Sequence, residues 1–343
     1  MKFQRPEIES SGLFHAVKGR TRARIFRPTP RNLALLAARL RQGELVAVPT
    51  ETVYGLAANA LDAKACAKIF RAKGRPTKDP LIVHLGAVEQ VNVVAVPNAA
   101  ADRLIKAFWP GPLTLILPKR DVVPEIVTAG RNSVAIRMPR HPVFRRLAKI
   151  TSLPLAAPSA NPFGYISPTT AKHVAANLGA KIGYILDGGP AEIGLESTIV
   201  DLRDPARPKL LRPGAISAAE LSVALGRTVA QGRRHQPDTE AQLAPGQMLR
   251  HYSPRTPVQL HETAMSPENP REAYVFMSRP RHSNRSNIYW LDTHGSLRGA
   301  ARRLFATLRQ LDAKHYRRIH VQRAFGGPLA DAINDRLERA AAR

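Results

Sequence analysis

Residues 44–56 read Glu-Leu-Val-Ala-Val-Pro-Thr-Glu-Thr-Val-Tyr-Gly-Leu, an apolar run followed at once by a polar loop. The run over 44–48 predicts a buried strand. Ligands gather at the carboxyl ends of strands in open α/β sheets, so the hydroxyls, carboxylate and phenol of this loop could bind a small polar substrate. The alternative is a turn in which the threonine side chains bond to neighbouring backbone groups.

Strand-like and helix-like segments alternate downstream of this loop. Asp62 is a suitable N-cap for a helix over 63–73, and Ser217 with Glu220 forms a capping box for a helix over 218–225. Short apolar runs predict strands at 81–85, 113–117, 134–138, 182–186 and 199–202, and helical patterns fall near 98–108, 141–149 and 169–178. This interleaving predicts an α/β domain.

The pattern breaks at residues 227–256, where no period survives, so we predict a linker or lid there. A second, small α/β domain is predicted over 257–343. Its strands are expected at 258–260, 274–277, 288–291 and 319–322, and its helices at 297–311 and 328–341. Before the first α/β domain (24–226), residues 1–23 form a basic N-terminal extension.

The chain has 343 residues and a net charge of +26, from 52 Lys and Arg against 26 Asp and Glu. This excess favours a polyanionic partner such as ATP, tRNA or an anionic membrane surface, although a solvated basic surface is the plain alternative. No apolar run approaches the ~18 residues that a bilayer span requires. The single cysteine, Cys66, excludes an intramolecular disulfide and fits a buried thiol in a reducing cytoplasm.

Cationic side chains mark the candidate binding segments. Lys73-Gly74-Arg75-Pro76 ends a predicted helix, where the helix dipole disfavours anions, so the side-chain charges themselves must bind any phosphate. Arg137 lies within a strand-like run, and a ligand anion or a structural ion pair would satisfy it equally. His84 closes a strand on the same side, with a structural histidine as the alternative interpretation.

Two further segments carry polar groups. Pro158-Ser159-Ala160-Asn161-Pro162 lets backbone approach a ligand closely and offers groups suited to ribose or phosphate. Arg-His-Tyr at 250–252 lies inside the linker and predicts a gate over an anionic ligand. The alternative is that this segment only fills the space between the two domains. The sequence has no metal-binding signature and neither a Walker nor a Rossmann glycine motif. A bound nucleotide would therefore have to be held by a different kind of binding motif.

Taken in order, these motifs resemble those of the YrdC-like threonylcarbamoyl-adenylate synthase family. The matching segments are Pro-Thr-Glu-Thr-Val-Tyr-Gly-Leu, Lys-Gly-Arg-Pro, Phe-Trp-Pro-Gly-Pro-Leu-Thr, Pro-Ser-Ala-Asn, Glu-Ser-Thr-Ile-Val-Asp and Leu-Arg-Pro-Gly. Arg-His-Tyr-Ser-Pro at 250–254 and Asp-Ala-Ile-Asn-Asp-Arg-Leu at 331–337 look like the long, two-domain form. The resemblance covers residues 24–343. It implies a twisted, mixed open α/β sheet with a large basic cavity, and a small Rossmann-like C-terminal domain.

The resemblance also implies a reaction. L-Threonine and bicarbonate form a carbamate that attacks the α-phosphate of ATP, which arrives with Mg²⁺, and the product passes to the cytoplasmic machinery that modifies adenosine 37 of tRNA. By the family's pattern, the catalytic cations are Lys73 and Arg75. The residues expected around threonine are Thr52, His84, Arg137, Ala157 and Ser197. Those expected against ATP are Arg75, Asp79, Ser133, Ser159, Asn161, Ser167, Arg212 and His251.

Position 79 departs from this pattern, because the family usually has asparagine where this chain has Asp79. A carboxylate beside a triphosphate is repulsive unless Mg²⁺ or an arginine intervenes. A contact between Asp79 and ATP therefore requires one of them.

Two other functions remain open. A carbamoyl-phosphate-dependent adenylating domain, as in hydrogenase maturation, shares the fold but adds acylphosphatase and zinc-finger modules, for which this chain has no counterpart. A non-enzymatic RNA-binding or ribosome-assembly factor fits the charge of +26 but has no need for Lys73, Arg75 or the Pro-Ser-Ala-Asn loop. We also expect truncation after residue 230 to weaken ATP turnover, since it removes the predicted gate.

Overall fold

The structure, a computed structural model, describes residues 23–232, 240–246, 251–263, 265–281 and 285–342. The first part of the chain alternates strands and helices. Its strands are β1 (Arg24–Phe26), β2 (Val46–Val48), β3 (Gly55–Asn59), β4 (Ile82–His84), β5 (Leu113–Pro118), β6 (Ser133–Arg137), β7 (Leu155–Ala156), β8 (Tyr184–Leu186), β9 (Thr198–Asp201), β10 (Lys209–Arg212) and β11 (Ala230–Gln231). Its helices are α1 (Pro30–Arg41), α2 (Ala63–Lys73), α3 (Val91–Val94), α4 (Ala99–Phe108), α5 (Glu125–Thr128), α6 (Pro142–Thr151), α7 (Ala171–Leu178) and α8 (Ala218–Leu225), with a 3-10 turn at Val88–Gln90. Of the predicted N-terminal extension, residues 1–22 lie outside the described residues.

These strands form one sheet in the order β1-β8-β2-β3-β7-β4-β6-β5-β9-β10-β11. Parallel and antiparallel pairs are mixed: β4 runs parallel to β6 and β5 to β9, whereas β5 and β6 are antiparallel. The predicted α/β class with a mixed open sheet is confirmed. β11 pairs with β10 although it lies within the segment predicted as a linker, so the sheet continues past residue 226.

Helix α2 shows how local signals set the framework of the site. Asp62 accepts hydrogen bonds from two backbone N–H groups of the first turn, and Gly74 ends the helix in the left-handed region at φ 66°. The inner face of α2 buries Cys66 in the core, as predicted, and burial raises the pKa of its thiol to about 12. The chain thus leaves the helix at a fixed angle just before Arg75.

The loop predicted to bind substrate joins β2 and β3, which pair antiparallel. The Thr50 hydroxyl organises this loop: it donates to the carbonyl of Val53 at 2.6 Å and accepts from the N–H groups of Thr52 and Val53 at 3.2 Å each. The local threonine turn left open above is therefore present at Thr50. The sequence did not predict β3, because Gly-Leu-Ala-Ala-Asn holds no β-branched residue.

The small domain holds a four-stranded parallel sheet in the order β12-β15-β13-β14. Its elements are β12 (Val258–His261), β13 (Ala273–Ser278), β14 (Ile288–Asp292), α9 (Leu297–Asp312), β15 (Ile319–Gln322) and α10 (Pro328–Ala341). Val53, Ile166 and Leu195 of the first domain pack into the apolar core of this domain. Burial of this shared apolar surface holds the two domains together.

Helix α1 precedes the loop after β2 and was not predicted from the sequence. It begins at Pro30 behind a Thr29 cap and buries Leu33, Leu36 and Leu40, which is the spacing of an amphipathic helix. The apolar spacing that indicates this helix was therefore present in the sequence, next to the basic N-terminal segment. In the part of the chain that the structure describes, every helix is too short or too polar to cross a membrane.

Candidate active site

A buried pocket lies where the loop after β2 meets the ends of β4, β6 and β10 and part of the linker. β4 and β6 are parallel neighbours whose last residues, His84 and Arg137, are register partners, so both arrive at the same edge of the sheet. The predicted site residues that line the pocket are Thr52, Arg75, His84, Arg137, Ala157, Ser159, Ser197, Arg212 and His251. The fold thus brings motifs from distant parts of the chain into one place.

Arg137 is buried, and it has a carboxylate partner in Glu51, whose Oε1 lies 2.8 Å from its Nη2. Its Nη1 donates to the Thr52 hydroxyl at 2.8 Å, and its Nε donates to the carbonyl of Gly111 at 3.2 Å. The structural ion pair that was one of two alternatives is therefore present. A guanidinium carries five N–H groups, so these contacts leave donors for a ligand carboxylate.

His84 packs its ring edge-on against Phe144, with the ring centroids 5.8 Å apart. Burial, reinforced by the positive charge of Arg137, lowers the pKa of His84 to about 3. The imidazole is therefore neutral near pH 7 and can accept as well as donate a hydrogen bond. It offers the pocket a polar group that adds no positive charge.

We expect His84 to make the fold sensitive to mild acid. Its pKa is 6.5 in the unfolded chain and about 3 in the fold, so the unfolded state binds more protons between these values. Stability is then complete above pH 6.5 and declines by up to ~1.4 kcal/mol per pH unit as the pH falls toward 3. His84→Gln should flatten the fall of the urea midpoint between pH 7 and pH 5. His294→Gln, at an exposed position, is the control, and equal slopes in both variants would contradict this explanation.

Lys73 lies behind the pocket rather than in its wall. Its ammonium group donates to the carbonyls of Ser159 at 2.6 Å and Asn161 at 2.5 Å, which fastens the Pro-Ser-Ala-Asn loop to α2. Burial, with the charge of Arg75, lowers the pKa of Lys73 well below its usual value. The structure thus gives Lys73 a loop-holding role, and its contact with reacting groups stays a prediction.

Arg75 lines the pocket and is paired with Asp79, whose Oδ2 lies 2.9 Å from its Nη2. Its guanidinium also donates to the carbonyls of Asp79 at 2.9 Å and Pro80 at 2.7 Å. Asp79 has no exposed surface, and burial raises its pKa while the charges of Arg75 and Lys73 act in the opposite direction. An arginine therefore stands between this carboxylate and the pocket.

Arg212, the last residue of β10, and Ser197, just before β9, are bonded to each other. The Nε of Arg212 donates to the Ser197 carbonyl at 3.0 Å, and its Nη2 donates to the Ser197 hydroxyl at 3.1 Å. Burial lowers the pKa of Arg212. Gly214 permits this close approach, since a Cβ there would lie 2.4 Å from the backbone nitrogen of Thr198.

Linker residues form the roof of the pocket. The carbonyl of Pro245 accepts from Arg212 Nη1 at 3.3 Å, and the rings of His251 and Tyr252 lie 4.1 Å apart beside it. Arg250, part of the predicted gate, lies outside the described residues. The pocket keeps about 50 Å³ of free volume, against ~300–1,000 Å³ in typical ligand sites. The roof therefore leaves too little space for a ligand of that size.

Within the described residues, several predicted site residues do not line the pocket; these are Lys73, Asp79, Ser133, Asn161 and Ser167. Ser133 begins the five-residue strand that ends at Arg137, so it lies ~13 Å from the pocket end of β6. The Asn161 amide donates to two carbonyls of its own loop at 2.9 and 2.7 Å, and the Ser167 hydroxyl donates to Glu196. Contacts of these residues with ATP stay predictions.

Glu196 belongs to the site but had no role predicted from the sequence, whereas Glu51 was predicted only as the carboxylate of a substrate-binding loop and Tyr252 only as part of the gate. Each lies inside a motif quoted above, so the signal was available. What the motif could not supply was the partner: Glu51 pairs with Arg137, and Glu196 lies 2.9 Å from the guanidinium of Arg336 in α10. These partners are distant in the chain and meet only in the fold.

Among the described residues, no group of three or more His, Cys, Asp or Glu side chains is placed to hold a metal ion. Mg²⁺ that accompanies a nucleotide usually takes one or two carboxylates together with phosphate oxygens and water. Asp79 lies beside the pocket, and its Oδ2 is engaged by Arg75. Any Mg²⁺ ion would therefore be held mainly by the nucleotide and water, because Asp79 is buried behind Arg75.

The chain matches two family models. Residues 38–214 match the Sua5/YciO/YrdC model, described as "Telomere recombination", and residues 216–342 match "Threonylcarbamoyl-AMP synthase, C-terminal domain". Similar curated proteins are the threonylcarbamoyl-AMP synthases of Pyrococcus abyssi, 46% identical over 228 residues, and Bacillus subtilis, 47% identical over 233 residues. The alignments cover 66% and 67% of this chain, and the chain spans 66% of the length of each relative.

Solved structures agree with these matches. The crystal structure of P. abyssi Sua5 complexed with L-threonine has a TM-score of 0.84 and 36% identity, and the match covers 93% of this chain and 98% of that chain. E. coli YciO, at a TM-score of 0.52 and 21% identity, shares the fold of the first domain. The chain therefore belongs to the Sua5/YciO/YrdC family, in the form that carries a threonylcarbamoyl-AMP synthase C-terminal domain.

Proposed function

We propose that this protein forms L-threonylcarbamoyl-AMP and pyrophosphate from L-threonine, bicarbonate and ATP. The strongest support is the convergence of a hydroxyl-bearing and a cationic set of side chains in one pocket. This set consists of Thr52, Ser197, Arg75, Arg137 and Arg212. The related P. abyssi protein, whose structure was solved with L-threonine, supports an amino acid as one of the ligands.

The proposed chemistry has two balanced steps. The threonine amine adds to the carbon of bicarbonate and water leaves, which gives a carbamate. A carbamate oxygen then attacks the α-phosphorus of ATP, the bond from that phosphorus to the bridging oxygen breaks, and pyrophosphate leaves. Attack at phosphorus depends mainly on positioning and on neutralising charge. Arg75 and Arg212 supply that charge, while Arg137 and the neutral His84 suit the carboxylate and hydroxyl of threonine.

The linker is proposed to act as the gate. With Pro245, His251 and Tyr252 in place the free volume is about 50 Å³, so ATP requires the roof to move before it can enter. Return of the roof would then exclude water during the reaction. We propose that the product passes to the cytoplasmic machinery that modifies adenosine 37 of tRNA, for which the charge of +26 offers a suitable surface.

Pyrophosphate release by the full-length protein tests this proposal. We expect release to require ATP, bicarbonate and L-threonine together and to stop when any one is omitted. Carbamoyl phosphate supplied in place of bicarbonate and threonine serves as the control for the other adenylating reaction of this fold. Release that is independent of threonine, or that is driven by carbamoyl phosphate, would contradict the proposal.

Replacement of Asp79 by asparagine should strengthen ATP binding. The amide no longer holds Arg75 by charge and no longer repels the triphosphate. We therefore expect the KM for ATP to fall about three- to tenfold, equivalent to roughly 1 kcal/mol of charge interaction. Steady-state kinetics would measure this effect. Asp201→Asn, which breaks an ion pair with Arg203 outside the pocket, is the control, and an unchanged or higher KM for Asp79→Asn would overturn the explanation.

A further inference from the structure

The C-terminal helix α10 carries a network of buried charges. Arg336 has no exposed surface, and its Nη1 lies 2.8 Å from Asp335 Oδ2. Asp335 in turn lies 3.1 Å from Arg339 on the next turn of the helix. Removing these charges from water is unfavourable, and apolar residues of the same volume would often stabilise a fold as well. The network therefore calls for an explanation other than stability.

Arg336 reaches from the small domain into the wall of the pocket. Its Nε lies 2.9 Å from the carboxylate of Glu196, and its Nη2 donates to the Glu196 carbonyl at 3.2 Å. Its Nη1 donates to the carbonyl of Pro213 at 2.9 Å. One planar guanidinium thus holds two separate backbone segments of the first domain at a fixed distance.

Those two segments carry residues of the candidate active site. Glu196 immediately precedes Ser197, and Pro213 immediately follows Arg212. The side chain of Arg212 bonds to Ser197 at two points, so the separation of the segments decides whether these bonds form. Burial acts to lower the pKa of Arg336, but Tyr252, Asp335 and Glu196 together raise it above its usual value. The Arg336 guanidinium is therefore always charged.

The same helix also holds the roof of the pocket. The ring of Tyr252 lies 5.5 Å from the Arg336 guanidinium, in cation–π contact. The carbonyl of Arg339 accepts from the backbone N–H of His251 at 3.4 Å and from the Ser253 hydroxyl at 3.1 Å. α10 therefore contacts both the wall and the roof, which the catalytic motifs alone do not explain.

We propose that Arg336 is a positioning residue of the candidate active site, which sets the spacing of Ser197 and Arg212 through Glu196 and Pro213. The small domain thereby controls the geometry of the pocket, and withdrawal of α10 loosens its wall and its roof together. This inference rests on the proposed function for its ligand, L-threonine. The effect of Arg336 on the two backbone segments can be measured without any ligand.

The test compares three variants of the full-length protein. Arg336→Lys keeps the buried positive charge but loses the planar guanidinium group. Arg336→Met keeps an aliphatic side chain of similar length but has no hydrogen-bond donor. Arg323→Met is the matched control, because Arg323 forms two ion pairs within the small domain, with Glu262 and Glu338, and does not line the pocket. Hydrogen exchange of peptides covering 194–198 and 210–214 reports positioning, calorimetry gives the L-threonine Kd, and thermal unfolding shows that each variant is folded.

We expect both Arg336 variants to exchange faster in the two peptides and to bind L-threonine about 10–100-fold more weakly, as misplaced binding groups do. Arg323→Met should match wild type in exchange and Kd even if its melting temperature falls. A folded Arg336→Met or Arg336→Lys variant with wild-type exchange and Kd overturns the inference, as does a change confined to the melting temperature. If the wild type does not bind L-threonine, the proposed function fails, and the exchange data alone decide the role of Arg336.

Discussion

Replacing Arg75 with alanine should lower kcat/KM for pyrophosphate release by about 10²–10³-fold, the usual effect of removing one preorganised charge-stabilising donor. Arg75 lines the pocket, and it separates the pocket from Asp79, which has no exposed surface. The variant therefore loses a cation for the triphosphate and leaves a buried carboxylate without its arginine partner. Steady-state kinetics with ATP, bicarbonate and L-threonine would measure the loss.

Stability and catalysis can be separated at this position. The single variant should lose about 3–5 kcal/mol of stability, because it leaves one partner of a buried pair. The double variant Arg75→Ala with Asp79→Asn removes both charges and should regain most of that stability while turnover stays low. Turnover that recovers together with stability would mean that Arg75 serves only to offset Asp79.

The second large effect is expected at Tyr252. Its ring is 1% exposed and packs against Phe305, with centroids 5.4 Å apart, and against His251 at 4.1 Å. Tyr252→Ala should therefore lower stability by about 3–5 kcal/mol, as large aromatic truncations do. Since the roof would lose its anchor and would no longer close over bound substrates, we also expect kcat to fall at least ~10-fold. Urea unfolding and steady-state kinetics give the two values.

Tyr252→Phe is the matched control for packing. Within the part of the chain described, the Tyr252 hydroxyl is buried and has no hydrogen-bond partner. Its removal should therefore leave stability unchanged or slightly higher, and turnover close to wild type. If the phenylalanine variant loses ATP turnover as severely as the alanine variant, the hydroxyl contacts a substrate and the packing explanation is wrong.

Elements whose signals are local could be predicted from the sequence. The capping box of Ser217 and Glu220 placed α8 at Ala218–Leu225, and the apolar run at Ile319–Gln322 placed β15, both with the observed bounds. β3 escaped prediction because its pairing with β2 and β7, rather than its composition, makes it a strand. Tertiary context decides such short segments.

Partners of charged residues could not be predicted in the same way. Lys73 was expected to face phosphate, yet its ammonium group bonds to carbonyls that lie 86 and 88 residues further along the chain. The pair of Arg336 with Glu196 joins residues 140 positions apart. A motif states which chemical group is available, whereas the fold alone decides which group it meets.

The carbonyl of Pro245 in the linker accepts a hydrogen bond from Arg212. A phosphate group that binds Arg212 would therefore compete with the linker for the same guanidinium. The observed dissociation constant then equals that of the open form divided by the fraction of molecules that are open. With about 1% of molecules open, ATP would bind about 100-fold more weakly than its contacts allow. Substitutions in the linker that never touch the nucleotide can therefore tune how much ATP the protein needs, while every catalytic side chain stays unchanged.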